Sequence, residues 1–321
     1  MTSAPSASNK SQEDIMIKVT DIAYVRFRAP DLDEMEKFLV EFGMARAARS
    51  DTHLYMRGTD AHPFVHETEK GEPGFVGIAF YAESVADLEK LAGEHGLAVE
   101  DNPAPGGGRI VHFTDPDGFP IDVVAGQVSP EKLPVARKLV HNDGDARVRA
   151  GEPLRVAPGP SQVKRLGHCV INVTDFRTSE AWYKSRFGLV TSDEIELAPG
   201  APLGAFMRCD RGRTHVDHHT LFLVGTGQPG FNHAAFEVAH FDDLMAGHNH
   251  LEKAGRRHEW GVGRHILGSQ IFDYWRDPWG HTVEHWTDGD LFNNETPPQV
   301  RGLGDLMGNQ WGPEAPPTMG S

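Results

Sequence analysis

The chain repeats its own pattern, and this repeat constrains the fold more than any other feature of the sequence. Three stretches of the first half match three of the second half in the same order, namely 23–43 with 167–188, 75–91 with 231–247, and 115–122 with 277–284. The first two pairs combine an alternating apolar strand with a periodic helix, and the third is a turn that leads into a strand. The pattern predicts an α+β protein of two homologous domains, residues 16–127 and 164–290, each with two strand–helix–strands modules.

Three segments lie outside the repeat. Residues 1–15 are polar and predict a flexible N-terminus, and residues 128–163, rich in Pro, Gly and charge, predict a linker between the domains. Residues 291–321 form a C-terminal tail that is also rich in Pro and Gly. We expect disorder beyond Pro298, and the alternative is an arm that packs on the domain or on a neighbouring molecule.

Charge and cysteine content limit the classes of function. The formal net charge is −15, and no run of Lys and Arg offsets it, so we expect no binding to nucleic acid or to an anionic membrane. No stretch approaches the length of a membrane span, and the first residues lack the apolar core of a signal peptide. Cys169 and Cys209 form no disulfide framework, which suits a reducing compartment. We therefore expect a cytoplasmic protein.

The two halves differ at three matched strand positions, which makes the repeat an internal control. The substitutions are His168 for Tyr24, His233 for Gly77 and Glu284 for Asp122. A residue needed only for packing would be expected in both halves, so function explains the imidazoles better. Two histidines and one carboxylate from three strands are typical of the facial triad of non-haem Fe(II) oxygenases, which leaves three metal positions open.

Strand alternation indicates where these side chains point. His168 shares a strand face with Val170 and Asn172, and His233 shares one with Ala235. The opposite faces are more apolar and are expected to carry the helices. Both histidines are therefore predicted to face the hollow of a curved sheet.

A family resemblance follows from a set of residues near the end of the second half. These are G-R-H at 263–265, Tyr274, D-P-W-G at 277–280 and Glu284. In this pattern the chain resembles the type I extradiol ring-cleaving dioxygenases of the vicinal oxygen chelate superfamily. Asp273 departs from it, because an aliphatic residue commonly precedes the tyrosine, and a different pocket wall is expected there.

The resemblance implies a fold and a metal. The family fold is two pairs of βαβββ modules, each pair forming an incomplete barrel, with the metal in the C-terminal barrel only. Carried over residue by residue, the ligands would be His168, His233 and Glu284. The first choice of metal is Fe(II), Mn(II) is possible, and O2 would be the co-substrate. The family also implies a homo-oligomer.

The resemblance further implies three residues that act on the substrate. The acid–base histidine of the family lies on a strand before the second metal ligand, where His218 and His219 are adjacent. His219 would share its face with Leu221, so strand alternation favours His218 and leaves His219 as the alternative. His265 and Tyr274 match the pair that hydrogen-bonds the substrate oxygens.

The implied reaction is cleavage of a catechol ring next to the diol, with insertion of both atoms of O2. We expect a largely apolar pocket, with Phe206, Phe222 and Trp286 as possible wall residues. Two alternatives within the superfamily are a glyoxalase-type lyase or isomerase and a non-catalytic protein that binds a small molecule. Metal content and dependence on O2 would distinguish them.

Overall fold

The computed structural model describes residues 17–135 and 140–317. The predicted flexible segment 1–15 lies outside the described residues. Both ends of the predicted linker are bounded by strands, and the described residues between Ala125 and Val163 form no helix or strand.

The described part of the first half contains eight strands and two helices. In chain order they are β1 (Val19–Ala29), α1 (Leu32–Phe42), β2 (Ala45–Arg49), β3 (His53–Arg57), β4 (His66–Lys70), β5 (Gly74–Ala82), α2 (Val85–His95), β6 (Glu100–Asp101), β7 (Arg109–Thr114) and β8 (Pro120–Ala125).

The second half repeats this order and adds further elements. They are β9 (Val163–Val173), α3 (Phe176–Phe187), β10 (Leu189–Ala198), β11 (Ala201–Cys209), β12 (Val216–Asp217), β13 (Leu221–Gly225), β14 (Gly230–Val238), α4 (Phe241–Lys253), β15 (Arg257–His265), β16 (Ile271–Arg276), β17 (Thr282–Thr287), β18 (Leu291–Phe292), β19 (Gln299–Gly302), α5 (Leu303–Met307) and β20 (Asn309–Trp311).

Each half forms one large open sheet with the same strand order, and β12 and β18 of the second half form a separate two-stranded sheet. The first sheet runs β2-β3-β4-β1-β5-β8-β7-β6, and the second runs β10-β11-β13-β9-β14-β17-β16-β15 with β19 and β20 added at its two edges. In both sheets the first strand of each module pairs in parallel with the last strand of that module, as in β1 with β4 and β14 with β17. The predicted fold, two domains of paired βαβββ modules in sheets that do not close, is confirmed.

The first helix of each half begins after an Asp and ends at a Gly. Asp31 accepts hydrogen bonds from the first backbone N–H groups of α1, and Asp175 does the same for α3. Gly43 and Gly188 end these helices with φ of 111° and 66°, a left-handed conformation that glycine adopts without steric cost.

The two domains share one buried core. Phe27 of the first domain meets Phe231 of the second edge-on, with ring centroids 5.1 Å apart, and Phe42 stacks on His285 at 3.7 Å. A buried hydrogen bond joins Tyr183 Oη to Asp115 Oδ2 at 3.0 Å. The first domain therefore packs on the face of the second sheet that is opposite its hollow.

The C-terminal tail differs from the expected disorder. Strand β19 pairs in parallel with β10, and β20 pairs with β15. The disorder expected beyond Pro298 is therefore wrong for residues 299–311, and the alternative of a packed arm describes them. The arm forms because backbone groups of β19 and β20 complete the two exposed edges of the second sheet.

None of the helices in the described parts of the chain is both long enough and apolar enough to cross a membrane.

Candidate metal and substrate site

Three neighbouring strands of the second sheet bring the predicted ligands together. His168 lies on β9, His233 on β14 and Glu284 on β17. In the sheet register Ala235 pairs with both His168 and Glu284, and His233 is two residues before Ala235 on the same face. The side chain of Ala235 is a methyl group, so the three larger side chains can converge over it.

The ligand atoms lie close enough to share one ion. His168 Nε2 and His233 Nε2 are each 3.4 Å from Glu284 Oε2, and one atom from each residue lies within 4.8 Å of the others. Ligands about 2.1 Å from a common ion stand roughly 3 to 3.4 Å apart. All three residues are buried.

Glu284 shows most clearly that a cation fits. Neither of its carboxylate oxygens makes a hydrogen bond, and both are buried. Burial raises the pKa of this carboxyl group to about 7 and lowers the pKa of His168 to about 3. An unpaired buried carboxylate is costly, and a divalent cation held with two neutral imidazoles would offset that cost.

A neighbouring amide orients one of the ligands. Asn232 Oδ1 lies 2.9 Å from His233 Nδ1, so Nδ1 donates to the amide oxygen and Nε2 presents its lone pair to Glu284 and His168.

His265 and Tyr274 lie next to the ligands, as the resemblance implied. His265 Nε2 is 2.9 Å from Tyr274 Oη and 3.9 Å from Glu284 Oε1. Burial lowers the pKa of His265 to about 4 and raises the pKa of Tyr274 well above its usual value. Near neutral pH the pair is therefore an uncharged imidazole beside an intact phenol.

The site opens into a cavity of about 300 Å³. Apolar side chains form most of its wall; they are Val170, Leu203, Phe206, Phe222, Val224, Trp260, Leu267, Leu303, Leu306 and Met307. Two of the expected wall residues, Phe206 and Phe222, are among them, whereas Trp286 lies beside His168 with ring centroids 6.1 Å apart. The last three apolar residues belong to the C-terminal arm.

The adjacent histidines require a correction. His219 lines the cavity and lies against His168, with ring centroids 4.0 Å apart. His218, which strand alternation favoured, lies behind it and bonds to Asp193, with Nε2 to Oδ2 at 2.7 Å. The alternation argument fails because residues 218–220 lie between β12 and β13 and are not part of a strand.

Asp273 does not change the pocket wall as expected. It faces the side opposite Tyr274, where it is fully buried beneath α4 and accepts hydrogen bonds from His248, His258 and Trp275. These bonds account for the buried carboxylate. Sequence reasoning missed this cluster because its members come from α4, β15 and β16 and follow no recognised spacing.

A family model fits both halves of the chain. The model of the Glyoxalase/Bleomycin resistance protein/Dioxygenase superfamily matches residues 21–123 and 165–285. The chain belongs to this superfamily. Superfamily membership agrees with the paired modules and with the cluster of ligands on the second sheet.

Several superfamily proteins resemble this chain along most of its length. Metapyrocatechase 2 of Cupriavidus necator is 28% identical over 307 residues, which cover 93% of this chain and 90% of the relative. A Mn(II)-bound glyoxalase from Novosphingobium aromaticivorans has a similar fold, with a TM-score of 0.76, 21% identity, and coverage of 95% of this chain and 98% of the other. A variant of homoprotocatechuate 2,3-dioxygenase from B. fuscum also has a similar fold, with a TM-score of 0.77 and 19% identity. The match covers 95% of this chain and 81% of the other.

Proposed function

We propose that this superfamily member is an extradiol dioxygenase, an oxidoreductase that opens the ring of a catechol next to its two hydroxyl groups and inserts both atoms of O2. The observation that carries the proposal is the buried carboxylate of Glu284, which has no hydrogen-bond partner and faces two imidazoles at the floor of an apolar cavity. The likeness to metapyrocatechase 2 along 93% of the chain supports the same reaction class.

The metal would be held by His168, His233 and Glu284. This set of two imidazoles and one carboxylate suits Fe(II), our first choice, and also admits Mn(II). When bound, such an ion would supply a Lewis acid for the diol oxygens and a path for electrons to dioxygen.

Tyr274 and His265 would orient the diol. The phenol of Tyr274 stays protonated in its buried position, so it can donate a hydrogen bond to a substrate oxygen that carries negative charge. The 2.9 Å contact between the two side chains fixes the phenol, so little reorganisation is needed when the substrate enters.

His219 would be the group that moves a proton. It lines the cavity beside His168, so its imidazole can take a proton from a diol hydroxyl and later return it to an oxygen of the substrate. We therefore assign the acid–base role to His219 and not to His218. The atoms balance, since one catechol and one O2 give one ring-opened semialdehyde acid.

The cavity wall favours an uncharged ring. Among the described residues the wall carries no Lys or Arg, and its polar side chains outside the metal and substrate groups are Asn172, Thr226, Asn232 and Gln270. A carboxylate on the ring would lose water without gaining a cation. We expect roughly 10- to 100-fold higher kcat/KM for 4-methylcatechol than for 3,4-dihydroxybenzoate, an effect of a few kcal/mol at most.

A direct test begins with anaerobic protein loaded with Fe(II). Catechol is added first, then O2, and both O2 uptake and the visible absorbance of a yellow ring-opened product are recorded. The proposal requires equal amounts of O2 consumed and product formed. Turnover of a glyoxalase-type substrate, together with no O2 uptake on any catechol, would instead identify a lyase or isomerase. The homo-oligomer and the cytoplasmic location stay predictions.

A further inference from the structure

Behind the acid–base histidine lies a chain of buried hydrogen bonds. His219 Nδ1 is 3.0 Å from His218 Nδ1, and His218 Nε2 is 2.7 Å from Asp193 Oδ2. The three residues are at most 5% exposed. From this geometry we infer that His218 and Asp193 are positioning residues that select the tautomer of His219. The inference rests on the proposed function.

The direction of each hydrogen bond follows from the chemistry of the groups. An ionised carboxylate only accepts, so the contact with Asp193 places the single proton of neutral His218 on Nε2. Nδ1 of His218 then carries a lone pair and accepts from Nδ1–H of His219. Neutral His219 consequently has its lone pair on Nε2, the state needed to accept a proton from the diol.

Neighbouring polar side chains hold this row of hydrogen bonds in place. Ser192 Oγ donates to the backbone carbonyl of His218 at 2.5 Å, and Arg208 Nη1 donates to the same hydroxyl at 2.8 Å. Arg301 of β19 places Nε 3.6 Å from Asp193 Oδ1, so a guanidinium lies beside this carboxylate. Through Arg301 the C-terminal arm thus adds a positive charge at the Asp193 end of this row of hydrogen bonds.

Asp193→Asn tests the inference because it keeps the shape of the side chain but reverses the direction of its hydrogen bond with His218. The positive charge of Arg301 lies on the Oδ1 side and favours the amide oxygen there, so the amide NH2 would point to His218 Nε2 and move the imidazole proton to Nδ1. His219 would then carry its proton on Nε2 and could not act as a base. In serine proteases an Asp→Asn exchange that imposes the wrong tautomer costs about 10⁴ in kcat.

We expect Asp193→Asn to lower kcat by roughly 10²- to 10⁴-fold, with metal content and KM for catechol close to wild type. Glu194→Gln is the matched control, because Glu194 is on the same strand and pairs with Arg177. It should leave kcat unchanged. Adding Arg301→Ala to Asp193→Asn frees the amide to rotate and should recover part of the lost kcat.

A second measurement is independent of turnover. Long-range ¹H–¹⁵N spectra of metal-free and Zn(II)-loaded protein report which imidazole nitrogen is protonated, with His219→Asn used for assignment. The wild type should show His219 protonated on Nδ1, and Asp193→Asn should show it on Nε2. Wild-type protonation on Nε2, or unchanged kcat in a folded Asp193→Asn protein, would overturn the inference. If the wild type uses no O2 on any catechol, the proposed function fails, while the spectra still decide the tautomer.

Discussion

The two domains hold equivalent carboxylates in opposite ways. Tyr24, Ala79 and Asp122 are paired across the first sheet as His168, Ala235 and Glu284 are across the second. Asp122 is buried like Glu284, but Arg26 Nη1 lies 3.1 Å from it and His112 Nδ1 2.6 Å. The first domain pairs its carboxylate with a guanidinium, whereas the second leaves its carboxylate without a hydrogen-bond partner.

Two substitutions explain this difference. Arg26 pairs with Gly77 in the first sheet, and the matching position in the second sheet is Val170, which pairs with His233. A side chain at Gly77 is excluded, since a Cβ there would lie 1.9 Å from the carbonyl oxygen of Pro120. The same backbone therefore supports either an internal ion pair or the proposed metal site, depending on a few inward-facing residues.

The largest expected effect is loss of the metal from the second domain only. His233→Ala removes one of the two imidazoles and should abolish both Fe(II) binding and O2 uptake, which metal analysis and an oxygen electrode would record. His112→Ala is the control in the first domain, because it removes an imidazole that contacts the matching carboxylate Asp122, and it should keep both. Full iron content in folded His233→Ala would contradict the assigned ligands.

Val170→Arg should replace the proposed metal site of the second domain with an ion pair like that of the first domain. The new guanidinium would lie where Arg26 lies in the first sheet and could pair with Glu284, so metal content should fall steeply although no ligand is changed. Val170→Met is the control, because it introduces a long side chain without a charge, and we expect it to retain the metal. Equal metal content in both variants would break the comparison.

Arg26→Ala should destabilise the first domain. Asp122 would remain buried with His112 but without its guanidinium, which we expect to cost about 3 kcal/mol in the free energy of unfolding, measured with urea. Adding Asp122→Asn should restore most of the loss. A negligible effect of the single change would mean that Asp122 does not depend on its ion pair.

Metal binding should stabilise the wild-type protein and not the Glu284→Gln variant. A metal at 100 times its Kd adds about 2.7 kcal/mol to the free energy of unfolding. In metal-free protein Glu284→Gln should cause little or no loss, because it removes an unpaired buried charge. Thermal unfolding with and without Mn(II) measures both effects, and a large loss in the metal-free variant would argue for another partner of Glu284.

The sequence was sufficient for features that depend on regular strands. The repeat predicted the modules because apolar alternation and helix caps are local signals, and the comparison of the halves predicted the convergence of His168, His233 and Glu284. It was insufficient at His218 and His219, since alternation holds only within a strand. It also misjudged residues 299–311, whose order depends on hydrogen bonds to distant strand edges that Pro and Gly content does not reveal.

The C-terminal arm also affects how the protein is handled in the laboratory. Leu303, Leu306 and Met307 close part of the cavity but follow all three ligands in the chain. Proteolytic clipping after Pro298 would therefore leave the proposed ligands intact while opening the cavity to bulk water. On the proposed function, such a trimmed preparation would keep its metal and still be a poor catalyst, so intact mass should be checked alongside metal analysis.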